Sequence, residues 1–164
     1  MTRVVFFLRD SRGAAAAEMA MMLPLLLALM FGAFEAGHYF YTEQKIIKAV
    51  REGARFAGRQ PFASFPCGGA ANAAAVANIR QVTRTGTITG TVSRVPNLAL
   101  DDITVTHRCD TSYDGQGIFK GTSGGAPIVR VVARADYASL FNTLGFIDST
   151  SSVFASSEAA VNGI

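Results

Sequence analysis

The apolar residues of the chain are concentrated in one block near its N-terminus. From Ala14 to Phe34 the only charged residue is Glu18. A run of about 20 apolar residues is long enough to cross a bilayer as a helix, and it is longer than the apolar core of a secretory signal. No cleavage site of the Ala-x-Ala kind follows the run. We therefore predict a transmembrane helix, assigned to residues 14–42, that stays in the mature protein.

Beyond the membrane segment the apolar residues take the spacing of an amphipathic helix. Between Glu43 and Gln60 they recur every three or four positions, and charged residues occupy the other face. We expect a stalk helix that continues the transmembrane helix and packs its apolar stripe on the following domain. The apolar positions are Ile46, Val50, Ala54 and Ala57, and the charged ones are Lys45, Lys48, Glu52, Arg55 and Arg59.

The rest of the chain alternates between turn-rich and strand-like stretches. Prolines and glycines interrupt the pattern at 60–69, and an alanine-rich segment that predicts a second helix follows at 70–82. Alternation is clearest at 128–137, where Val129 and its inward-facing neighbours are predicted to meet a core. Further strands are predicted at 85–95, 103–108 and 153–160, a glycine-rich loop at 113–126, and a loop or short helix at 138–147.

These elements predict an α+β fold. Residues 14–42 form the transmembrane helix, and residues 43–164 form a stalk helix with a small antiparallel-sheet head.

Composition agrees with a membrane-anchored chain and argues against nucleic-acid binding. Hydrophobic residues make up 49% of the sequence and charged residues 16%, which is fewer charges than in an ordinary soluble domain. The net charge is +3, but the basic residues are scattered and form no lysine- or arginine-rich block. The nearest approach to a cluster lies on the stalk helix, where a surface facing solvent or lipid headgroups explains it.

Two residues inside the apolar block are unusual for a simple anchor. Glu18 places a carboxylate near the end of the block, where a charge is costly and is often functional. Pro24 removes a backbone hydrogen bond and favours a kink. The residues alone leave simpler explanations open, since Glu18 can reach the membrane surface and membrane helices tolerate proline.

Three stretches between Arg9 and Ala57 are more distinctive. They read RDSRGAAAAEMAMMLPLLL (9–27), FGAFEAGHYFY (31–41) and AVREGARFA (49–57). Together they resemble TadE-like proteins, pilin-like membrane proteins of tight-adherence (Tad/Flp) pilus systems. Beyond Arg59 the resemblance is only one of general layout. TadF-like proteins share this N-terminal plan, and the third stretch favours the TadE-like type.

The resemblance implies a non-enzymatic minor pilin, or pseudopilin. A prepilin peptidase would cut between Gly13 and Ala14, making Glu18 the fifth mature residue and a subunit contact with the free amine of a neighbour. Met19 departs from the aromatic residue common at that position in pilin-like proteins. The implied partners are the inner membrane, the peptidase, TadF-like and TadG-like subunits, the Flp pilin and the assembly platform.

Charge does not fix the orientation, because basic residues flank both ends of the apolar block. The resemblance implies a pilin-like plan, in which residues 1–13 are a cytoplasmic leader and the head at 43–164 is periplasmic. In that oxidising compartment Cys67 and Cys109 are most simply a disulfide, with a metal or redox role and free thiols as alternatives.

No reactive constellation predicts catalysis. The sequence GTSGG at 121–125 is like a serine-protease nucleophile loop, but nothing near His107 resembles a protease histidine motif, so a glycine-rich loop is expected. We expect no metal and no cofactor. Glu35 and His38 lie one helical turn apart, and a subunit contact at Glu35 and a solvated helix end stay open. The functional alternative is a single-pass envelope protein whose head binds a partner without joining a pilus.

Overall fold

The computed structural model describes residues 12–142 and 151–163, and one long helix dominates them. Helix α1 runs over Arg12–Gly58, 47 residues, and includes Pro24. The predicted transmembrane and stalk helices are therefore one element, which confirms their expected continuity. The predictions for residues 1–11, and those for 143–150, lie outside the described residues.

The second helix, α2, spans Ala73–Thr85. The side chain of Asn72 caps it by accepting hydrogen bonds from the backbone N–H groups of Ala74 (2.9 Å) and Ala75 (3.1 Å). Gly86, with φ +84°, ends it in the left-handed conformation that glycine adopts without strain. The predicted bounds of 70–82 were therefore three residues too early at each end.

Three antiparallel strands form a sheet in the order β1-β2-β3. They are β1 (Ile103–Asp110), β2 (Ala126–Asp136) and β3 (Ser152–Ala160), with Ile103 opposite Ala133 and Ile128 opposite Ala160. The predicted alternation in β2 is confirmed, because its inward-facing residues are buried and its charged residues are exposed. The buried set is Val129, Val131, Ala133, Ala135 and, just past the strand, Tyr137.

The sheet and α2 pack against the second half of α1, which supplies one side of the core. All four predicted apolar positions of the stalk are buried. The helices approach closely at Gly53, where an added Cβ would lie 2.0 Å from Thr83 Oγ1. A small residue is therefore required at this crossing. The predicted α+β plan, a long N-terminal helix followed by a small antiparallel sheet, is confirmed.

The strand predicted at 85–95 was wrong. Thr85 is the last residue of α2, and residues 86–95 fold back over the helix end as bends without a strand partner. The Arg94 N–H donates to the Arg84 carbonyl at 2.9 Å, and Thr85 Oγ1 donates locally to the Gln81 carbonyl at 2.9 Å. Local bonds to helix carbonyls therefore outweighed the β-propensity of the threonines and valines.

Candidate functional site

The first part of α1 stands free of the head. Every residue from 13 to 30 is exposed, and the first side chains that the rest of the chain partly covers are those near Phe31. At about 1.5 Å per residue this free segment is about 27 Å long, close to the roughly 30 Å thickness of a bilayer core. Its most apolar window has a mean hydropathy of 2.0 and no buried residue. The helix is long and apolar enough to span a membrane, and residues 31–142 and 151–163 do not cover its apolar window.

Glu18 is the one charged side chain in this free segment. It is exposed, and within residues 12–142 and 151–163 it makes no hydrogen bond or ion pair. Gly13 and Ala14 lie in the first turn of α1 and are exposed as well. An added Cβ at Gly13, Gly32 or Gly37 would meet nothing within 4 Å, so packing inside the chain does not require these glycines.

Glu35, unlike the exposed Glu18, is buried against the head. Its side chain is only 2% exposed, so the solvated helix end considered from the sequence was wrong. One carboxylate oxygen, Oε1, accepts a hydrogen bond from the Tyr137 hydroxyl at 2.8 Å. The other, Oε2, accepts the backbone N–H groups of Leu140 and Phe141, both at 3.1 Å. The carboxylate thus joins α1 to the segment that leaves β2.

The side chains of His38 and Glu35 are linked by the Tyr137 hydroxyl. Its Nδ1 lies 2.9 Å from the Tyr137 hydroxyl oxygen. Since the tyrosine has one proton and directs it to Glu35, His38 Nδ1 carries a hydrogen and donates to the tyrosine. The three side chains form a directed chain from imidazole to hydroxyl to carboxylate. A direct contact of Glu35 with another subunit stays a prediction.

Burial and the hydrogen bond to the Glu35 carboxylate raise the pKa of the Tyr137 hydroxyl well above its usual range. The hydroxyl therefore keeps its proton and remains a donor at any physiological pH. The sequence did not single out Tyr137 as a partner. Its only signal was its inward-facing position at the end of the alternating strand.

Cys67 and Cys109 form a disulfide, with their Cα atoms 5.8 Å apart. It ties the turn after α1 to β1, and it lies against Gly124, where an added Cβ would be 2.8 Å from Cys67 Cβ. The glycine-rich loop therefore packs closely against the disulfide at Gly124. His107 Nε2 lies 3.2 Å from the Pro66 carbonyl oxygen, with which it can hydrogen-bond. No group of three or more potential metal ligands occurs in the described part of the chain.

An open groove of about 410 Å³ lies between α1 and α2. Arg55 of α1 and Arg59, just past its end, line it together with Arg94, whose guanidinium pairs with Glu52. The groove is basic and solvated, which suits a weak contact with an acidic partner rather than an enclosed small-molecule site.

Comparison with known proteins finds one similarity. Residues 13–55 match the family model of TadE-like proteins. The matched segment contains the whole free part of α1, Glu35, and the stalk as far as Arg55. No curated protein and no solved structure matches the chain.

Proposed function

We propose, from the similarity of residues 13–55 to TadE-like proteins, that this chain is a minor pilin or pseudopilin. It assembles with other pilin-like subunits in the biogenesis of a Tad/Flp-type adhesive pilus. The match indicates a Tad pilus-related function, and the exposed apolar helix is the observation that carries the proposal further. A free apolar helix with one carboxylate that no described residue contacts is suited to a lipid bilayer and then to a bundle of similar helices.

In this proposal the free part of α1 packs with other subunits through small residues and one polar contact. Helices in lipid associate through close packing at glycine and alanine and through polar contacts, because lipid provides no hydrophobic driving force. Ala14–Ala17 and Gly32 supply the small surfaces. Glu18 pairs with the free amine of Ala14 on a neighbouring subunit after cleavage, and that pairing offsets the cost of burying its carboxylate.

The proposed orientation places the N-terminus in the cytoplasm and the head in the periplasm. The disulfide in the head supports it, because disulfides persist in oxidising compartments. The proposed partners are the inner membrane, the prepilin peptidase, TadF-like and TadG-like subunits, the Flp pilin and the assembly platform.

The first test is the intact mass and N-terminal sequence of the protein from cells with and without the prepilin peptidase. We expect a chain that begins at Ala14 only when the peptidase is present. Retention of residues 1–13 in both strains would remove the main support for a pilin-like subunit.

A second test addresses Glu18 directly. Glu18→Ala is expected to leave cleavage largely intact and to reduce piliation, because the helix loses its polar contact. Glu18→Gln keeps the size of the side chain and removes its charge. It therefore distinguishes the loss of the ion pair with an amine from the loss of side-chain packing. Glu43→Ala, a change on the same helix beyond the free segment, is the matched control. Normal piliation with Glu18→Ala would contradict the mechanism.

The alternative is a single-pass envelope protein whose head binds a partner outside any pilus. The basic groove beside Arg55 and Arg59 is the observation that favours it. Such a protein keeps its leader, so the mass measurement separates the two functions.

A further inference from the structure

The segment that follows β2 runs down α1 toward the free part of the helix. Tyr137 contacts Glu35 and His38, the next backbone N–H groups bond to Glu35, and the ring of Phe141 lies 5.0 Å from the ring of Phe31. Residues 137–141 therefore occupy the level of residues 31–38 of α1, where the apolar block ends. This is the lowest part of the head among the residues that the structure describes.

Large apolar side chains are exposed at this level and up to about 10 Å above it along α1. Leu140 is 55% exposed, and on α1 Phe34 is 59%, Phe40 62% and Tyr41 58% exposed. We call these four residues the foot. Apolar groups of this size gathered at one end of a domain mark an interaction surface.

The surface changes from apolar to basic just above the foot. The Lys45 ammonium lies 4.6 Å from the centroid of the Tyr41 ring, and Lys48 and Arg51, about one and two turns further along, are exposed. Aromatic residues followed by lysines are typical of a segment that crosses from the acyl chains into the headgroup layer, where anionic lipids attract the lysines.

The length of the helix agrees with this placement. From Ala14 to Phe34 the helix extends about 32 Å, close to the roughly 30 Å of a bilayer core. Phe40 and Tyr41 then lie about 10 Å beyond Phe34, in or just above the headgroup layer. Glu35, shielded by the head, lies at the boundary and not in lipid.

We propose that the head does not stand clear of the membrane but rests on its outer surface through the foot, with Leu140 inserted among the lipid headgroups. The inference rests on the membrane anchoring in the proposed function. The partner that the foot contacts is the bilayer that holds α1, because the foot is continuous with the membrane-spanning part of the helix. The Glu35 hydrogen bonds hold Leu140 at that depth.

The absence of tryptophan from the sequence provides a clean probe. We suggest three single-tryptophan variants of the full chain, reconstituted in vesicles of phosphatidylcholine and phosphatidylglycerol with and without brominated acyl chains. Leu140→Trp reports on the foot, Leu26→Trp on the membrane segment, and Val92→Trp on the upper head. Each wild-type side chain is more than half exposed, so each substitution can be accommodated. Val92 adjoins Arg94, which pairs with Glu52, about 26 Å along α1 from Glu35.

We expect bromine near the headgroup end of the acyl chain to quench the fluorescence of Leu140→Trp at least twofold and its emission to be blue-shifted. Val92→Trp should show neither effect, and Leu26→Trp should be quenched most by bromine deep in the chain. If Leu26→Trp is quenched while Leu140→Trp behaves like Val92→Trp, the foot inference is overturned and the anchoring stands. If Leu26→Trp is not quenched, the membrane anchoring itself fails, and the foot inference fails with it.

Discussion

Removing the Glu35 carboxylate should release the segment after β2 from α1. In Glu35→Ala the backbone N–H of Leu140 loses the acceptor that it meets at 3.1 Å. The N–H of Phe141 also loses Glu35 at 3.1 Å but keeps Ser139 Oγ at 3.2 Å as a second acceptor. A hydrogen bond to a charged group contributes about 1.5–3 kcal/mol. Since each 1.4 kcal/mol is a factor of ten, the Leu140 amide should exchange hydrogen about 10- to 150-fold faster. The Phe141 amide should be accelerated less, because Ser139 Oγ remains as its acceptor.

The assay is hydrogen–deuterium exchange of the reconstituted protein, read by mass spectrometry on a peptide that covers residues 138–142. The control is Glu43→Ala, a partly exposed glutamate two turns further along α1 with no hydrogen bond or ion pair to any described residue. It should leave exchange in this peptide unchanged. Acceleration of less than threefold in Glu35→Ala, or equal acceleration in both variants, would refute the role assigned to the carboxylate.

Three further predictions concern the stability of the head. Gly53→Ala should lower its free energy of unfolding by about 1–2 kcal/mol, because the clash of the new methyl with Thr83 costs more than the gain in helix propensity. Gly37→Ala, with open space around it, should not lower this free energy. Denaturant unfolding in detergent compares the two variants. Cys109→Ser opens a disulfide that joins residues 42 apart and should destabilise the head by about 4 kcal/mol; a reductant should lower the melting temperature of the wild type but not of this variant. The interactions that raise the pKa of Tyr137 stabilise the folded state below the ordinary tyrosine pKa of about 10. The wild type's stability advantage over Tyr137→Phe should therefore be constant from neutral pH to that pH and shrink above it. It should also shrink in acid, because protonation of Glu35 removes the charge to which the Tyr137 hydroxyl donates its hydrogen bond. A constant difference up to the pH of alkaline unfolding would contradict the first expectation.

The sequence predicted those parts of the fold that depend on local periodicity. The apolar block and the stripe of the stalk required a long helix, and the alternation in β2 required a half-buried strand. The prediction of a strand at 85–95 was wrong for a reason that the periodicity of the sequence cannot show. Gly86 ends α2 in a left-handed turn, and Arg94 then satisfies a carbonyl of that helix instead of a strand partner.

The site was predictable only in part. Glu18, Glu35 and the cysteine pair stood out in the sequence, because a carboxylate in or beside an apolar helix and a lone pair of thiols are unusual. The partner of Glu35 did not stand out, since Tyr137 lies 102 residues further along the chain and no local pattern links them. Contacts of that range are fixed by strand register and by how the sheet packs on the helix.

The continuity of α1 from the free segment through the core of the head has a mechanical consequence. A pull on the head along the axis of α1 meets no break in the helix between residues 12 and 58. The load passes as shear across the whole contact between α1 and the sheet, with the Glu35 bonds at its lower end and the Asn162 N–H to Gly58 carbonyl bond (2.7 Å) at its upper end. Bonds loaded side by side in shear yield together rather than one after another, so a subunit built this way can carry tension without first unravelling.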